Sequence, residues 1–297
     1  MCIANHPVIF YFYENNVLMK FFFCGLVVLF CTHLQAQYYY KDILGTQEAS
    51  RQMRLYKENK VARVAISSFN ETGSRSTDIQ VTQEFDPAAM KLTTLTAAGL
   101  SAGSILVSSA DAGGRLQSNF DSSGVIMSRT DYQYNRQNEL ISVSYQSSDT
   151  GRSLKTTDLH LWQWKDGKPK RMVRIKGVKD TTFIDFTVDE NGNVVEETET
   201  HRGVKALPLY YYYNSSNQLT DIVRFNKRAQ KLLPENLFEY TADGRLKQMI
   251  TVPDNSPEYT IWVYQYNEKG LKIKEAIYSR QDKSRPVGRI QYDYEFR

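Results

Sequence analysis

Short alternating segments of apolar and polar residues begin at residue 61 and predict β-strands. The clearest cover residues 61–69, 78–85, 91–96 and 104–109, and they are rich in β-branched side chains. One stretch has the helical period instead. Residues 46–60 lack Gly and Pro and place Ala49, Met53 and Tyr56 on one face, so the pattern predicts a single short helix before the strands.

One sequence unit recurs through the rest of the chain. In its clearest copy, Tyr240 is followed at the fourth position by Gly244 and at the sixth by Leu246. A three-residue hairpin loop closes on a residue of positive φ, which Gly or Asn adopts at least cost, so this spacing makes Tyr240 and Leu246 cross-strand partners. The same offsets occur in Phe120, Gly124 and Ile126; in Tyr134, Asn138 and Leu140; in Val188, Gly192 and Val194; and in Tyr213, Asn217 and Leu219.

A second aromatic residue usually precedes each unit by two positions, on the same strand face. Trp162 and Trp164 form a variant whose loop, 165–168, fits a two-residue Asp-Gly turn. From Trp164 onward the units repeat about every 25 residues. We therefore predict an all-β domain at residues 61–297, an antiparallel meander of repeated β-hairpins in a twisted or partly rolled sheet, preceded by a helical segment at residues 37–60.

The copy at residues 240–246, Tyr-Thr-Ala-Asp-Gly-Arg-Leu after Phe238, resembles the tyrosine-aspartate (YD) repeat of RHS-type proteins, which runs Tyr-x-Tyr-Asp-x-x-Gly-Arg-Leu. Residues 211–219 and 132–140 are similar, with Asn in place of Gly, and the resemblance covers roughly residues 118–297. It implies extended β-sheet that can curl into a shell. The chain is also similar to exported, tyrosine-rich repeat proteins common in Bacteroidota, which implies a periplasmic or secreted bacterial protein.

The first part of the chain has the order of a secretory signal peptide. Lys20 is followed by an apolar run at residues 21–31 and then by polar and small residues. The run is shorter than the roughly 20 residues that span a bilayer. We expect residues 19–36 to be the signal and residues 1–18 to be an upstream extension. A long n-region, or a signal anchor that includes residues 8–13, is the alternative.

The cysteines and the net charge narrow the function classes. Cys2, Cys24 and Cys31 all precede the expected cleavage site, so we expect no disulfide and no thiol catalysis in the mature chain. Neither Cys24 nor Cys31 follows the small residue of a lipobox, and we expect a soluble exported protein without a stable membrane span. A net charge of +4 is too small to indicate a nucleic-acid partner.

A Gly-x-Ser-x-Gly motif at residues 99–103 matches the nucleophile elbow of serine hydrolases. Ser101, Asp185 and His201 even occur in α/β-hydrolase order. That elbow needs a strand, a sharp turn and a helix on a parallel sheet, whereas residues 104–109 are predicted to be a strand. We interpret the motif as a loop of small residues and keep an envelope hydrolase as a remote alternative.

Metal and glycosidase chemistry are also weakly indicated. Asp189, Asn191 and Asn193 alternate as in a calcium loop, but Gly192 is fourth rather than sixth and is explained by the hairpin. We predict no metal and no cofactor. The mature histidines, His160 and His201, have no second ligand nearby in sequence, and the acidic pairs 189–190 and 196–197 point to opposite strand faces.

A basic run lies beside Trp162 and Trp164. This combination occurs in proteins that follow nucleic-acid backbones, but we interpret it as a solvated strand edge, with an anionic glycan or envelope polymer as the alternative. The run consists of Lys165, Lys168, Lys170, Arg171, Arg174, Lys176 and Lys179.

The function predicted from the sequence is a non-enzymatic, exported repeat protein that serves as a scaffold or interaction module of the cell envelope. A carbohydrate-binding module is the alternative. Tyrosine occupies both faces of one strand at residues 210–213, and we expect Trp162, Trp164, Tyr211 and Tyr213 to be partly exposed and to contact an envelope protein or a glycan.

Cleavage of the leader is the first testable expectation. If residues 19–36 are a signal, the mature protein begins at Gln37 and is recovered from the periplasm or the medium. Mass spectrometry of the purified protein measures this terminus, and a cytoplasmic product that retains Met1 would contradict the prediction.

Overall fold

The computed structural model describes residues 38–77, 79–99, 101–253 and 257–297. The predicted leader and its cysteines lie outside the described residues. All described residues belong to one compact unit. The helix, α1, is Lys41–Glu58. The strands are β1 Val61–Asn70, β2 Ile79–Asp86, β3 Lys91–Ala98, β4 Ser101–Ala110, β5 Leu116–Ser123, β6 Ile126–Tyr134, β7 Leu140–Asp149, β8 Leu154–Lys165, β9 Lys168–Lys176, β10 Asp180–Val188, β11 Val194–His201, β12 Val204–Lys205, β13 Leu209–Tyr213, β14 Leu219–Asn226, β15 Lys231–Tyr240, β16 Leu246–Thr251, β17 Thr260–Tyr266, β18 Lys272–Ser279 and β19 Gly288–Phe296.

The strands form a closed antiparallel barrel. Each strand pairs with its neighbour along the chain, except that β11 pairs with both the two-residue β12 and β13. The last strand then pairs with the first, from Val61 and Phe296 to Asn70 and Gly288. Within the described ranges, eighteen of the nineteen strands complete the barrel, because the two-residue β12 pairs only with β11. The predicted open, twisted or partly rolled sheet is therefore wrong, because hairpin patterns report neighbours in sequence and not the long-range pairing of β1 with β19.

In its clearest copy, the repeated unit has the register that its spacing predicts. Tyr240 pairs with Leu246, and a bulge lies between Glu239 and Tyr240. Tyr134 with Leu140, Val188 with Val194, and Tyr213 with Leu219 are paired in the same way. The loop residues at the fourth position are in the left-handed region: φ is 83° at Gly244, 88° at Gly192, 64° at Asn138 and 58° at Asn217.

The copy at Gly124 folds differently. Ser123 pairs directly with Ile126, so the loop has two residues, and Phe120 pairs with Arg129 rather than with Ile126. Gly124 still has a positive φ, of 57°. The preceding hairpin has the same register, with Ala110 paired with Leu116, but its sequence does not show the repeated unit because alanine replaces the aromatic residue.

The helix lies inside the barrel, across one of its mouths. It contacts strands on all sides of the closed wall, which a helix outside the barrel cannot do. An 18-residue helix is about 27 Å long, and eighteen strands about 4.8 Å apart give a barrel on the order of 30 Å across. The contacts join Tyr56 to Gln83 and Tyr294, Ser50 to Leu116, Asp42 to His160, Tyr39 to Glu197, and Tyr40 to Tyr211.

We call this end of the barrel the helix mouth and the other end the opposite mouth. Because the strands alternate in direction, the hairpin loops 111–115, 135–139, 189–193, 214–218, 241–245 and 267–271 all lie at the helix mouth. Neighbouring loops are joined by side chains: Gln218 donates to the Gly244 carbonyl at 2.9 Å, and Arg245 to the Asn267 carbonyl at 3.0 Å. These bonds link one hairpin to the next around the rim.

The aromatic anchor of each unit also binds the neighbouring unit. Its hydroxyl or indole N–H donates to the backbone carbonyl of the residue that closes the preceding unit. A buried tyrosine hydroxyl needs such a partner, and each bond fixes the position of two adjacent hairpins relative to each other along the barrel axis. The six bonds run from Tyr134 to Leu116, Trp164 to Leu140, Tyr213 to Val194, Tyr240 to Leu219, Tyr266 to Leu246 and Tyr294 to Lys272, at 2.7 to 3.0 Å.

The hairpin register makes Gly244→Val destabilising. A β-branched residue at φ near 83° is strained, and its Cβ would lie 3.3 Å from the Gln218 amide nitrogen, so we expect a loss of about 1 to 3 kcal/mol in the free energy of unfolding. Ala242→Val, at an exposed position of the same loop, is the control. Urea unfolding measures both, and equal stabilities would contradict the assigned turn.

Candidate functional site

A buried carboxylate holds the start of α1. Both oxygens of Glu197 accept the backbone N–H of Tyr39 at 2.9 Å, and one also accepts the N–H of Tyr40 at 3.0 Å and the hydroxyl of Tyr211 at 2.8 Å. The first N–H groups of a helix have no partner within the helix, and its N-terminus favours negative charge. α1 has no side-chain cap, and Glu197 of β11 instead holds the turn at Tyr39 and Tyr40 from which the helix begins.

The same burial changes the titration of Glu197, whose side chain is among the most buried charged groups of the barrel. Burial raises its pKa to about 7, against the lowering effect of the bonds from Tyr39, Tyr211 and Tyr40. The carboxyl group therefore takes up a proton at a higher pH than an ordinary glutamate does.

A second charged cluster fixes the first turn of the helix. Asp42 accepts from His160 Nδ1 at 2.6 Å and from Trp162 Nε1 at 3.2 Å. The other ring nitrogen of His160 lies 3.5 Å from Asp158, which also pairs with Arg174 at 2.9 Å. Two strands, β8 and β9, are thus joined to α1 in one ionic network below the helix mouth.

This network keeps His160 protonated. Burial alone would lower its pKa, but the charges of Asp42 and Asp158 and the hydrogen bonds to both raise it to about 9. Burial alone would raise the pKa of Asp158. The bonds from His160 and Arg174 outweigh this effect and hold the pKa of that carboxyl well below its usual range. All the charges of the network are compensated by one another.

The inner wall of the barrel is polar on its β5–β7 side. His160 faces the helix, and the alternation of strand residues puts Val143 and Tyr145, opposite His160 and Asp158, on the same inner face. One continuous cross-strand row runs from Asn119 through Thr130 and Tyr145 to Asp158. A second row, closer to the opposite mouth, runs through Asp121, Ser128, Ser147 and Thr156.

This polar wall is open to solvent. Tyr145 is 37% exposed although its pairing places it inside the barrel, and Thr156 is exposed as well. The amide oxygen of Asn119 is buried without a hydrogen-bond partner, while its amide nitrogen donates to the Tyr132 hydroxyl at 3.2 Å. Burial raises the pKa of Asp121. The wall therefore combines an accessible ring with one unsatisfied polar atom, the Asn119 amide oxygen.

The four aromatic residues predicted to form a contact face lie inside the barrel. Trp162 and Tyr211 are 4% and 2% exposed, so the expected partial exposure is wrong for both. Trp164 and Tyr213 are half-buried and pack on the same core. The helix covers these rings, and its position in the lumen could not be inferred from strand periodicity. The outer face of this strand carries Tyr212 instead, which is 47% exposed.

The aspartate and histidine of the serine-hydrolase order, Asp185 and His201, do not converge. Asp185 points outward and pairs with Arg171 at 2.6 Å, whereas His201 points inward and binds Asp180 at 2.7 Å. Ser101 begins β4, on another part of the wall. Asp185 and His201 therefore lie on opposite faces of the wall and form no relay with each other.

The predicted hairpin explanation also accounts for Asp189. Its carboxylate accepts the backbone N–H of Asn193 at 2.8 Å and the side-chain amide of the same residue at 3.0 Å, which closes the loop. Among the residues that the structure describes, there is no cluster of three or more His, Cys, Asp or Glu side chains that could hold a metal ion.

The basic run is divided between the two faces of the wall. Arg171 points outward to Asp185, while Arg174 points inward to Asp158. Lys168 donates to the carbonyls of Asp189 and Glu190. The run thus forms no single charged stripe.

A groove of about 720 Å³ lies at the helix mouth, between two neighbouring hairpin loops. It runs between loops 214–218 and 241–245, with the bond from Gln218 to the Gly244 carbonyl between them. Asp243, on its rim, is paired with Arg245. The polar groups of this groove are therefore largely engaged in loop contacts.

Comparison with known proteins finds neither a matching family model nor a matching curated protein. Solved structures do match. A porin-like protein from Bacteroides uniformis has a TM-score of 0.41 and 11% identity, with 80% of this chain and 97% of that chain covered. Two complexes, TcdB2-TccC3-Cdc42 and TcdB2-TccC3-TEV, match with TM-scores of 0.32 and 0.36 and 15% and 12% identity. They cover 72% and 74% of this chain, which spans only 11% and 12% of theirs.

Across the described ranges, no helix has both the length and the apolar character needed to cross a membrane.

The ionic network predicts the pH dependence of stability. The folded-state pKa of His160, about 9, lies above the ordinary value of 6.5, so its stabilisation is complete below pH 6.5 and is lost as the pH rises through 9. The raised pKa of Glu197 acts in the same direction, and its contribution is lost as the pH rises from 4.5 through 7. We expect the free energy of unfolding to fall between pH 6 and pH 9.

Urea unfolding at pH 6, 7.5 and 9 measures this slope. His160→Gln should remove on the order of 2 kcal/mol of the decrease above pH 7. His201→Gln, which breaks a half-exposed pair with Asp180, is the matched control and should keep the slope. An unchanged slope in His160→Gln would contradict the role of the network.

Proposed function

We propose that this protein is an exported, non-enzymatic β-barrel protein that serves as a scaffold or interaction module of the cell envelope, in the periplasm or outside the cell. The observation that carries the proposal is that the repeated aromatic side chains and the buried carboxylates are engaged in structural contacts. The tyrosines and tryptophans of the repeats bind neighbouring carbonyls, and the buried carboxylates Glu197 and Asp42 hold the helix. These groups are engaged in contacts that hold the barrel and the helix together.

The outer wall supports an aqueous location. It carries ion pairs between Arg129 and Asp131 and between Arg63 and Glu295, and a lipid-facing wall would make such charges costly. The outer wall also carries apolar side chains, which provide a surface for contact with other macromolecules. One row pairs Leu237, Ile250, Ile261 and Tyr278 across four strands.

We also propose a relationship to the tyrosine-aspartate repeat. The side chain of Arg245, the arginine of the repeat motif, binds Asp243 and the next loop, and Leu246 pairs with Tyr240. These contacts give the motif residues a role in joining successive hairpins.

A carbohydrate-binding role is the second candidate. The polar inner wall around Tyr145 favours it, although the aromatic residues first expected to bind are covered by α1. The hydrolase alternative has no comparable support, since Asp185 and His201 are paired with other residues.

The proposal is tested by combining localisation with activity. We expect the chain, expressed with its leader, to appear in the periplasm or medium, and a fluorophosphonate serine-hydrolase probe to leave it unlabelled. A photo-crosslinking residue at Tyr212, on the outer wall, should yield envelope adducts. Cytoplasmic retention, or labelling that Ser101→Ala abolishes, would contradict the proposal.

A further inference from the structure

We propose that the inner wall of β5–β7 is a binding site for a neutral oligosaccharide that enters through the opposite mouth. The site, called here the Tyr145 wall, comprises Asn119, Asp121, Ser128, Thr130, Tyr145 and Ser147. This inference rests on the proposed non-enzymatic role and names a ligand class for it.

Access to the Tyr145 wall follows from the position of the helix. α1 lies across the helix mouth, and the residues beneath it, such as Trp162 and Tyr211, are buried. Tyr145 lies midway along β7 and is 37% exposed, and Ser147 and Asp121 lie closer to the opposite mouth. A ligand therefore reaches the wall from the side that the helix leaves free.

The chemistry of the wall fits a sugar. Cross-strand neighbours are about 5 Å apart, so Thr130 and Asp158 flank the Tyr145 ring on the neighbouring strands, and Ser147 follows it on the same face of its own strand. An aromatic ring presents an apolar face to the C–H groups of a pyranose, while hydroxyl, amide and carboxylate groups around it bond to the hydroxyls.

One polar atom of the wall remains without a partner. The Asn119 amide oxygen is buried and accepts no hydrogen bond, which is costly unless a donor from a ligand or from water satisfies it. It lies in the same cross-strand row as Tyr145, separated by Thr130. A sugar hydroxyl is a suitable donor because it can also accept a bond from Thr130 or Ser128.

The charges next to the wall favour a neutral ligand. On β8 and β9, Asp158 is neutralised by Arg174 and His160, and on β10, Asp180 is paired with His201. Asp121 is the remaining carboxyl group of the wall itself. An anionic polymer would be repelled by it, and a neutral oligosaccharide can donate hydroxyls to it.

Isothermal titration calorimetry of the purified full-length mature protein tests the inference. The probes are soluble hexamers of glucose and of N-acetylglucosamine, with oligogalacturonate as the anionic comparison. We expect at least one neutral hexamer to bind and oligogalacturonate to bind at least tenfold more weakly. Tyr145→Ala and Asp121→Asn should each weaken binding of the neutral hexamer about tenfold.

Two outer-wall variants are the matched controls. Tyr212→Ala removes a tyrosine that is 47% exposed on the outer face, and Asp131→Asn removes a carboxylate paired with Arg129. Both should keep wild-type affinity. Circular dichroism and thermal melting establish that each variant is folded.

Three results would overturn the inference: no binding of either neutral hexamer, an unchanged affinity in folded Tyr145→Ala, or a loss of affinity in Tyr212→Ala. Export and envelope crosslinking through Tyr212 do not depend on the Tyr145 wall. A failure here with those results intact therefore removes the oligosaccharide site and leaves the proposed envelope role standing.

Discussion

The pairing of β1 with β19 is the constraint on which the structure depends. An open sheet of this size would leave two edges with unpaired N–H and C=O groups, which invite aggregation. Closure removes both edges and separates an inner from an outer face. Neighbouring tyrosines of one strand therefore have different environments: Tyr211 and Tyr213 face the core, while Tyr212 faces solvent.

The helix fills space that closure of the barrel leaves inside it. A barrel of eighteen strands is too wide for wall side chains alone to fill. α1 occupies one mouth, and its N-terminal end is held by the wall through Glu197 and the network around His160. The aromatic anchors meet the helix from several sides. The interior is thus packed near the helix mouth and polar farther away.

Much of the local structure could be predicted from the sequence. The offset from Tyr240 to Gly244 and Leu246 identified the register, because a positive-φ loop residue fixes which residues pair. The same offset gave the wrong register at Phe120, because the sequence there matches the repeated unit but forms a two-residue loop that contains Gly124.

The candidate site was harder to predict. Trp162 and Tyr211 were expected to be partly exposed because local periodicity does not reveal that a distant helix covers them. The polar row through Asn119, Thr130 and Tyr145 comes from three separate strands, so its signal appears only when the register of all three is known.

Closure also has a kinetic consequence. The strands that complete the barrel are joined by contacts such as Arg63 with Glu295, which are 232 residues apart in sequence. Every hairpin between them can form from local contacts, whereas this seam requires nearly the whole chain to be in place. Until then the growing sheet has two free edges, and these unpaired edges can associate with those of other incomplete chains.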